Sequence, residues 1–379
     1  MDALCNYNRI AVKIGSSLLV DETTGLINHA WLKSLAQDIV SMTTSGKQVL
    51  IISSGAIALG RGRLGLGKTH LSLAEKQACA AAGQVVLTQT YEAVLDPLGL
   101  KTAQALLTIN DTEDRRRWIN ARATLATLLK LGAIPIINEN DTVATDEIRY
   151  GDNDRLAARV AQMCGAELLV LLSDVDGLYD SDPNINKNAQ HIPIIKELTP
   201  DIIAMGGNPN KERGPNKIIM GSGGMATKLQ AAKIATDAGC AVVITKGDKQ
   251  NPLSVLASGV ENASWFLAKT NPQIARKQWI AGTLQPKGCL IIDAGAARAL
   301  AKGSSLLAAG LVRVVGHFER GDAVIIKDEA GTEIGRGLAG YNAKNAAAIK
   351  GLKSGDIEFR LGYDGGAALI HRDNMVLNS

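Results

Sequence analysis

Aromatic residues are scarce. Phe, Trp and Tyr together make up 3% of the 379 residues, although apolar residues as a whole make up 46%. A core of that composition is built from Ala, Leu, Ile and Val packed between layers, which suits an α/β protein. Strong charge of either sign is also missing. The formal net charge of +4 argues against a protein whose main task is to coat nucleic acid or an anionic membrane, and leaves an acidic substrate open. Cysteine pairing signals are absent too: Cys5, Cys79, Cys164, Cys240 and Cys289 are an odd number, far apart, with no CxxC. Neither a disulfide framework nor a zinc site is indicated, and the thiols read as buried or idle in a reducing cytoplasm. No apolar run approaches the roughly 18 residues of a membrane span, and the N-terminus lacks a charged-then-apolar signal pattern. The expectation is a soluble, cytoplasmic chain with no membrane partner.

What the sequence does contain is alternation. Short β-branched runs at Arg9 to Lys13, Gln48 to Ser53, Ala133 to Asn138, Leu168 to Ser173 and Ala241 to Thr245 read as buried strands. Helical stretches lie between them: His29 to Ser45, Leu71 to Leu95, Thr112 to Lys130, Asp154 to Cys164 and Met225 to Ala238. Alternation of this kind predicts a parallel sheet with helices on both faces, whose ligands bind beyond the C-terminal strand ends. From about Pro272 the texture changes to short, glycine-rich strands at Cys289 to Ile292, Leu311 to Val315, Ala323 to Ile326, Glu333 to Leu338 and Ala367 to Ile370. This reads as a small barrel-like β domain. The expected division is residues 1–270, a linker at 271–283, and a second domain at 284–379.

Two motif matches are rejected at this stage. Gly62 to Thr69 satisfies the P-loop pattern, and Gly60, Gly62 and Gly65 satisfy GxGxxG. Each motif works only where the loop leaves a strand directly and opens a helix. Here the strand ends near Ser53, well upstream, so these glycines and Lys68 read as a flexible surface loop.

Chemistry gathers instead at the strand ends. Lys13, followed by Gly15, can reach a phosphoryl group, or is simply a surface charge. Ser53-Ser54-Gly55-Ala56 can form an anion cradle or a capped helix start. Asn138 to Asp141 and Gly151 to Asp154 form a dense polar cluster able to grip an ammonium group and a carboxylate, although helix capping accounts equally well for Asp152 or Asp154. Ser173-Asp174, with Val175 to Tyr179 behind it, can hold a base or ribose or be merely a turn. Ser222 to Lys228 leads glycine backbone, a helix N-terminus and Lys228 toward a triphosphate.

Taken in order, AVKIGSS, SSGAI, INEND, GDND, LSDVDGLY and SGGMATKLQAA resemble the amino acid kinase family, and within it the glutamate 5-kinases. The resemblance covers nearly the whole chain and implies an open αβα sandwich. By resemblance, Lys13 and Lys228 bind the transferring phosphoryl group and Asp154 orients them. Ser54, Asp141 and Asn153 hold glutamate. ATP is held by Lys13, Ser173, Asp174, Ser222, Gly223, Gly224, Met225, Ala226, Thr227 and Lys228. Mg²⁺ accompanies ATP, with no protein ligand assigned to it. Gly288 to Ala296, Gly303 to Leu307, Gly316 to Asp322 and Arg336 to Leu338 resemble a PUA domain, which implies possible RNA binding. Proline as feedback inhibitor, a tetrameric homo-oligomer and a partnership with glutamyl-phosphate reductase are likewise implied by the resemblance. The segment Gly206 to Lys217 departs from the family in being longer and more polar.

Two other readings compete. A sister kinase acting on aspartate, acetylglutamate or carbamate would share the fold, but Asp141 argues for a free ammonium group on the substrate. An RNA-binding or regulatory protein with a kinase-like body is the second. From Pro286 to Asp373 there are twelve Lys plus Arg against ten Asp plus Glu, which gives that reading little support.

Overall fold

The computed structural model describes residues 3–21, 24–66, 71–144, 152–207, 224–282, 285–363 and 365–378. The chain divides into two compact units, Met1–Pro272 and Gln273–Ser379.

In the first unit the chain runs β1 (Arg9–Ile14), α1 (Ser16–Leu19), α2 (His29–Thr44), β2 (Gln48–Ile52), α3 (Ala56–Arg63) and α4 (Leu73–Leu95). It continues through β3 (Thr102–Leu107), α5 (Ile109–Glu113), α6 (Arg115–Lys130), β4 (Ile134–Glu139), α7 (Asp152–Cys164) and β5 (Leu168–Ser173). A hairpin of β6 (Leu178–Tyr179) and β7 (His191–Ile192) follows, then β8 (Ile194–Ile195), α8 (Pro200–Ala204), α9 (Met225–Asp237), β9 (Ala241–Lys246), α10 (Pro252–Ser258) and β10 (Ala263–Phe266). Eight strands form one sheet in the order β3-β4-β2-β1-β5-β9-β10-β8.

The sheet is parallel from β3 through β9, as the alternation predicts, but β10 runs antiparallel to β9 and carries β8 beside it. An all-parallel sheet is therefore corrected to a mixed one. Strand β3 was not expected from sequence. Its TAQALL run carries Thr102 and Gln104 because it lies at the sheet edge, half covered, where a buried apolar run is not needed.

Strand parity sorts the side chains. Ile10, Val12 and Ile14 of β1 pack with Val49 and Ile51 of β2 and with Leu32, Leu35 and Ile39 of α2. Ala11 joins Leu50 and Ile52 of β2, Leu156 and Val160 of α7, and Leu229 and Ala232 of α9 in the opposite core. Lys13 has the parity of Ala11, so β1 delivers it to the face covered by α7 and α9. Cys79, Cys164 and Cys240 are buried free thiols. Burial pushes the Cys164 thiol up to about 12, which keeps it inert.

Gly60 and Gly62 lie within α3 rather than in a surface loop, and residues 67–69 of the rejected motif lie outside the described residues. The structure gives Gly60 a packing role: a Cβ there would sit 1.7 Å from the Cys79 carbonyl oxygen, and one on Gly83 would sit 1.8 Å from the Ala56 oxygen. Helices α3 and α4 thus cross backbone to backbone.

In the second unit, α11 (Pro272–Gly282) is followed by β11 (Gly288–Ile292), α12 (Ala294–Ala301), β12 (Leu306–Leu307), β13 (Leu311–Gly316), β14 (Ala323–Asp328) and β15 (Glu333–Leu338). Then come α13 (Ala343–Ala348), α14 (Ile357–Leu361), β16 (Ala368–Ile370) and β17 (Met375–Leu377). A five-stranded sheet in the order β13-β11-β14-β15-β17 and a β12-β16 pair enclose a core of Leu290, Ile292, Leu306, Val324, Ile326 and Leu369. The stretch read as a linker is largely helix α11, whose Ile280 is buried and whose Trp279 packs on Ala323 and Leu338. Among the described residues no helix is long and apolar enough to cross a membrane.

Gly83→Ala is expected to destabilise the protein by about 1–3 kcal/mol, because neither backbone can yield the space. Gly62→Ala, at an exposed position of α3 with nothing within 4 Å of the added Cβ, should be neutral or stabilising. Chemical unfolding of both variants checks the contrast.

Candidate active site

Three elements bring their ends together on the α7/α9 side of the sheet. Lys13 is the fifth residue of β1, Asp154 lies in the first turn of α7, and Lys228 lies in the first turn of α9. The Lys13 ammonium is 2.5 Å from Asp154 Oδ1 and the Lys228 ammonium is 3.5 Å from Oδ2. Asp154 is fully buried, and Lys13 and Lys228 are 7% and 3% exposed. Thr227 Oγ1 sits 3.2 Å from Asp154 Oδ2 and 2.8 Å from the Gly224 oxygen, so its single proton serves one of them at a time.

The electrostatics are specific. Burial by itself pushes the Asp154 carboxyl up, but the Lys13 and Lys228 ammonium groups, with hydrogen bonds from Lys13 and Thr227, hold it below its ordinary value. A carboxylate suits the first turn of a helix, whereas an ammonium group there opposes the helix dipole, so Asp154 offsets the placement of Lys228. The formal charges of the three groups sum to +1. Gly224 caps α9 without a side-chain acceptor for the first-turn N–H groups. An anionic group is the complement of such a cluster.

Beside it lies a chain of amides. Asn153 Nδ2 is 2.9 Å from Ser54 Oγ, 3.2 Å from the Ser53 carbonyl oxygen and 3.2 Å from Asn138 Oδ1. Asn138 Nδ2 in turn donates to Gln84 Oε1 at 2.8 Å. Among the described residues Asn153 Oδ1 is buried without a hydrogen-bond partner. Ser54 follows β2 and precedes Gly55, whose φ of 95° opens α3 in a conformation that favours glycine. The Ser53 hydroxyl sits 3.0 Å from the Tyr91 hydroxyl, and burial pushes that phenol up. Asp141, 9% exposed, lines a cavity of 350 Å³ with Glu139, Thr142, Gln84 and Gln104. Gln84 therefore belongs both to the amide chain and to the cavity that Asp141 lines.

The structure thus gathers Lys13, Asp154 and Lys228, links Ser54 to Asn153, and sets Asp141 in the cavity that shares Gln84. Ser173 ends β5, next to β1, and Asp174 follows it, with the Ser173 hydroxyl donating to Asp174 Oδ1 at 2.8 Å. Gly224, Met225, Ala226 and Thr227 form the cap and first turn of α9. Ser222 and Gly223 lie outside the described residues, as does the polar segment from residue 208 onward. Gln84 and Tyr91 escaped the sequence reading. Their signal was faint: a single amide beside Gly83 in an Ala-rich helix.

This fold and cluster coincide with a family pattern. The family model described as the amino acid kinase family matches residues 8–246, and that of the PUA domain matches residues 288–361. The chain belongs to the amino acid kinase family. It is 53% identical over 377 residues to a glutamate 5-kinase of Paramagnetospirillum magneticum, covering the whole of both chains. It is 53% identical over 369 residues to one of Caulobacter vibrioides, covering 97% of this chain and 96% of that one. A glutamate 5-kinase of Brucella ovis is 54% identical over 376 residues, covering 99% and 97%.

Asp154→Asn keeps the side chain's shape and removes the charge between two buried ammonium groups. The unliganded variant should lose about 3–5 kcal/mol of stability, with the deficit shrinking when ATP supplies negative charge at the site. The contribution of an acid whose folded pKa is depressed is present above its unfolded value and lost as pH falls through the folded one. The difference between wild type and variant should therefore be constant near neutrality and fade below about pH 4. Urea unfolding across pH, with and without ATP, checks both arms; a deficit that ATP leaves unchanged would count against an anion-binding role.

Proposed function

We propose that the chain transfers the γ-phosphoryl group of ATP to the side-chain carboxylate of L-glutamate, giving L-glutamyl 5-phosphate, the first step of proline biosynthesis. Full-length similarity to glutamate 5-kinases supports the reaction, and the buried Lys13–Asp154–Lys228 cluster is the observation that carries its mechanism.

The nucleophile is already an anion, so no general base is required, and the obstacle is repulsion between a carboxylate and a triphosphate. An ammonium group at about 4 Å from a phosphoryl oxygen supplies about 4 kcal/mol of attraction at an effective dielectric of about 20. Lys13 and Lys228 would meet the transferring group from two elements, and Asp154 would keep both side chains extended toward it in a site already ordered before substrate arrives. The first turn of α9 and the Ser173-Asp174 strand end would receive the nucleotide. Mg²⁺ enters as part of the nucleotide substrate; among the described residues no group of three or more His, Cys, Asp or Glu is arranged to hold a metal ion.

Glutamate would bind through its α-amino and α-carboxylate groups in the Ser54, Asn153 and Asp141 region. Asn153, hydrogen-bonded to Ser54, would offer its amide and Asp141 its carboxylate to these groups. A free amino acid fits this pair better than an N-acetylated one. Proline inhibition, a homotetramer, a reductase partner and RNA binding by the PUA domain belong to the same proposal and rest on the family resemblance alone.

The deciding assay is ADP release from ATP and Mg²⁺ with glutamate, aspartate, N-acetylglutamate or no acceptor, trapping acyl phosphate with hydroxylamine. Hydroxamate formed selectively from glutamate is expected; selective turnover of another acid would move the substrate, and no turnover would favour a regulatory role. Lys13→Ala and Lys228→Ala should each lower the maximal rate by about 10²-fold or more with modest change in substrate affinity. Asp141→Asn should instead raise the glutamate KM; an effect confined to ATP would contradict the placement of Asp141 on the amino acid.

A further inference from the structure

The antiparallel strand β10 brings two polar side chains to the turn that follows β5. Ser264 is fully buried. Its hydroxyl accepts from the Leu178 N–H at 2.7 Å and donates to the Ile192 carbonyl oxygen at 2.6 Å. A backbone N–H only donates and a carbonyl only accepts, so the single hydroxyl proton is committed to Ile192. In the third contact, with His191 Nε2 at 3.2 Å, the imidazole must therefore be the donor, which puts its proton on Nε2. One hydroxyl thus joins β6, β7 and β10 with its proton and both lone pairs in use. Asn262, just before β10, donates from Nδ2 to Asp176 Oδ2 at 3.1 Å, and the Tyr179 hydroxyl donates to the same oxygen at 3.0 Å. Gly177 lies between these two ties. A Cβ there would sit 2.5 Å from both His191 Nε2 and Ser264 Oγ, so the turn backbone is pressed directly onto the Ser264 hydroxyl.

We propose that Ser264 is a positioning residue for the nucleotide: gripping Leu178, while Asn262 grips Asp176, it fixes the Asp174–Gly177 turn against which the nucleoside end of ATP is received. This rests on the ATP-dependent reading given above, which places the nucleotide at the Ser173-Asp174 strand end. Sheet register supports the placement. Lys13 pairs with Leu171, and Ser173, two residues further along β5, shares the parity of Leu171 and lies about 8 Å from Lys13 on the same sheet face. A triphosphate whose transferring end is held at Lys13 spans that step, so its nucleoside end meets the turn. The β6–β7 ladder joins the hairpin strands only to each other, and the β8–β10 ladder begins at Ile194, beyond both. Among the described residues the hydrogen bonds from Asp176 and Leu178 to residues 262 and 264 run through the Asn262 and Ser264 side chains. Removing those side chains frees the turn without unpairing the sheet.

Two variants of the full chain test this. Ser264→Ala leaves the buried Leu178 and His191 N–H groups without their acceptor, and Asn262→Ala, at an exposed position, releases Asp176 with little risk to folding. Titration calorimetry with ATP and with ADP, in Mg²⁺ and without glutamate, should show both nucleotides bound about tenfold or more weakly by Ser264→Ala and about threefold or more weakly by Asn262→Ala. The glutamate KM should stay within about threefold of wild type in both. Unchanged nucleotide affinity in Ser264→Ala overturns the proposal, as does an equal loss for nucleotide and glutamate, which would mark a general distortion of the sheet. If Ser264→Ala does not fold, Asn262→Ala decides by the same criteria. Nitrogen NMR of the imidazole needs no turnover: wild type should carry the neutral His191 proton on Nε2, and a proton on Nδ1 would overturn the three-way Ser264 contact. Wild type that binds ATP without using glutamate would sink the reaction proposed above and leave the affinity comparison to decide the role of Ser264; wild type that binds no ATP overturns that role.

Discussion

One carboxylate shared between two ammonium groups is the constraint around which the first unit is organised. Asp154 is fully buried and lies within reach of Lys13 from a central strand and Lys228 from a neighbouring helix. Buried ion pairs of this kind seldom stabilise a protein relative to an apolar core, because taking the charges out of water costs several kcal/mol each. The cluster joins β1, α7 and α9, so the packing of those elements and the placement of the charges are one problem. Strand parity puts Lys13 on the right face, and the apolar seams of α7 and α9 put their first turns beside it.

The amide row beside the cluster is arranged by a different means. Backbone contact at Gly60 and Gly83 lets α3 and α4 approach until Ser54, at the head of α3, and Gln84, on α4, both reach the Asn138–Asn153 pair. Close helix packing thus sets the geometry of a polar network, and the network in turn sets the direction in which one amide oxygen points. A charge cluster and an amide row are thereby set side by side. The two meet at adjacent residues, Asn153 and Asp154, in the same helical turn.

Much of this was legible in the sequence. The apolar runs ending in Lys13, Ser53, Asn138 and Ser173 declare buried strands whose polar termini converge, and the motif series from Lys13 to Lys228 fixes the family. Edge strand β3 was not legible, because a half-covered strand needs no continuous apolar run. Nor was the antiparallel β10, since strand direction depends on the connection rather than on composition. Helix α11 was read as a linker because Pro272 and Gly282 bracket it, whereas Trp279, packed on Ala323 and Leu338, ties it to the second unit. Gln84 could not be found by motif at all: it meets Asn138 across the fold, and a contact of that range leaves no trace in spacing.

The most direct test of the Lys13–Asp154–Lys228 account is a structure of the protein with ADP, Mg²⁺, glutamate and a planar fluoride mimic of the transferring phosphoryl group. The account predicts that both ammonium groups lie within about 3 Å of the mimic's fluorine ligands while Asp154 stays between them. A mimic that sits away from either lysine, with that lysine engaged elsewhere, would contradict it.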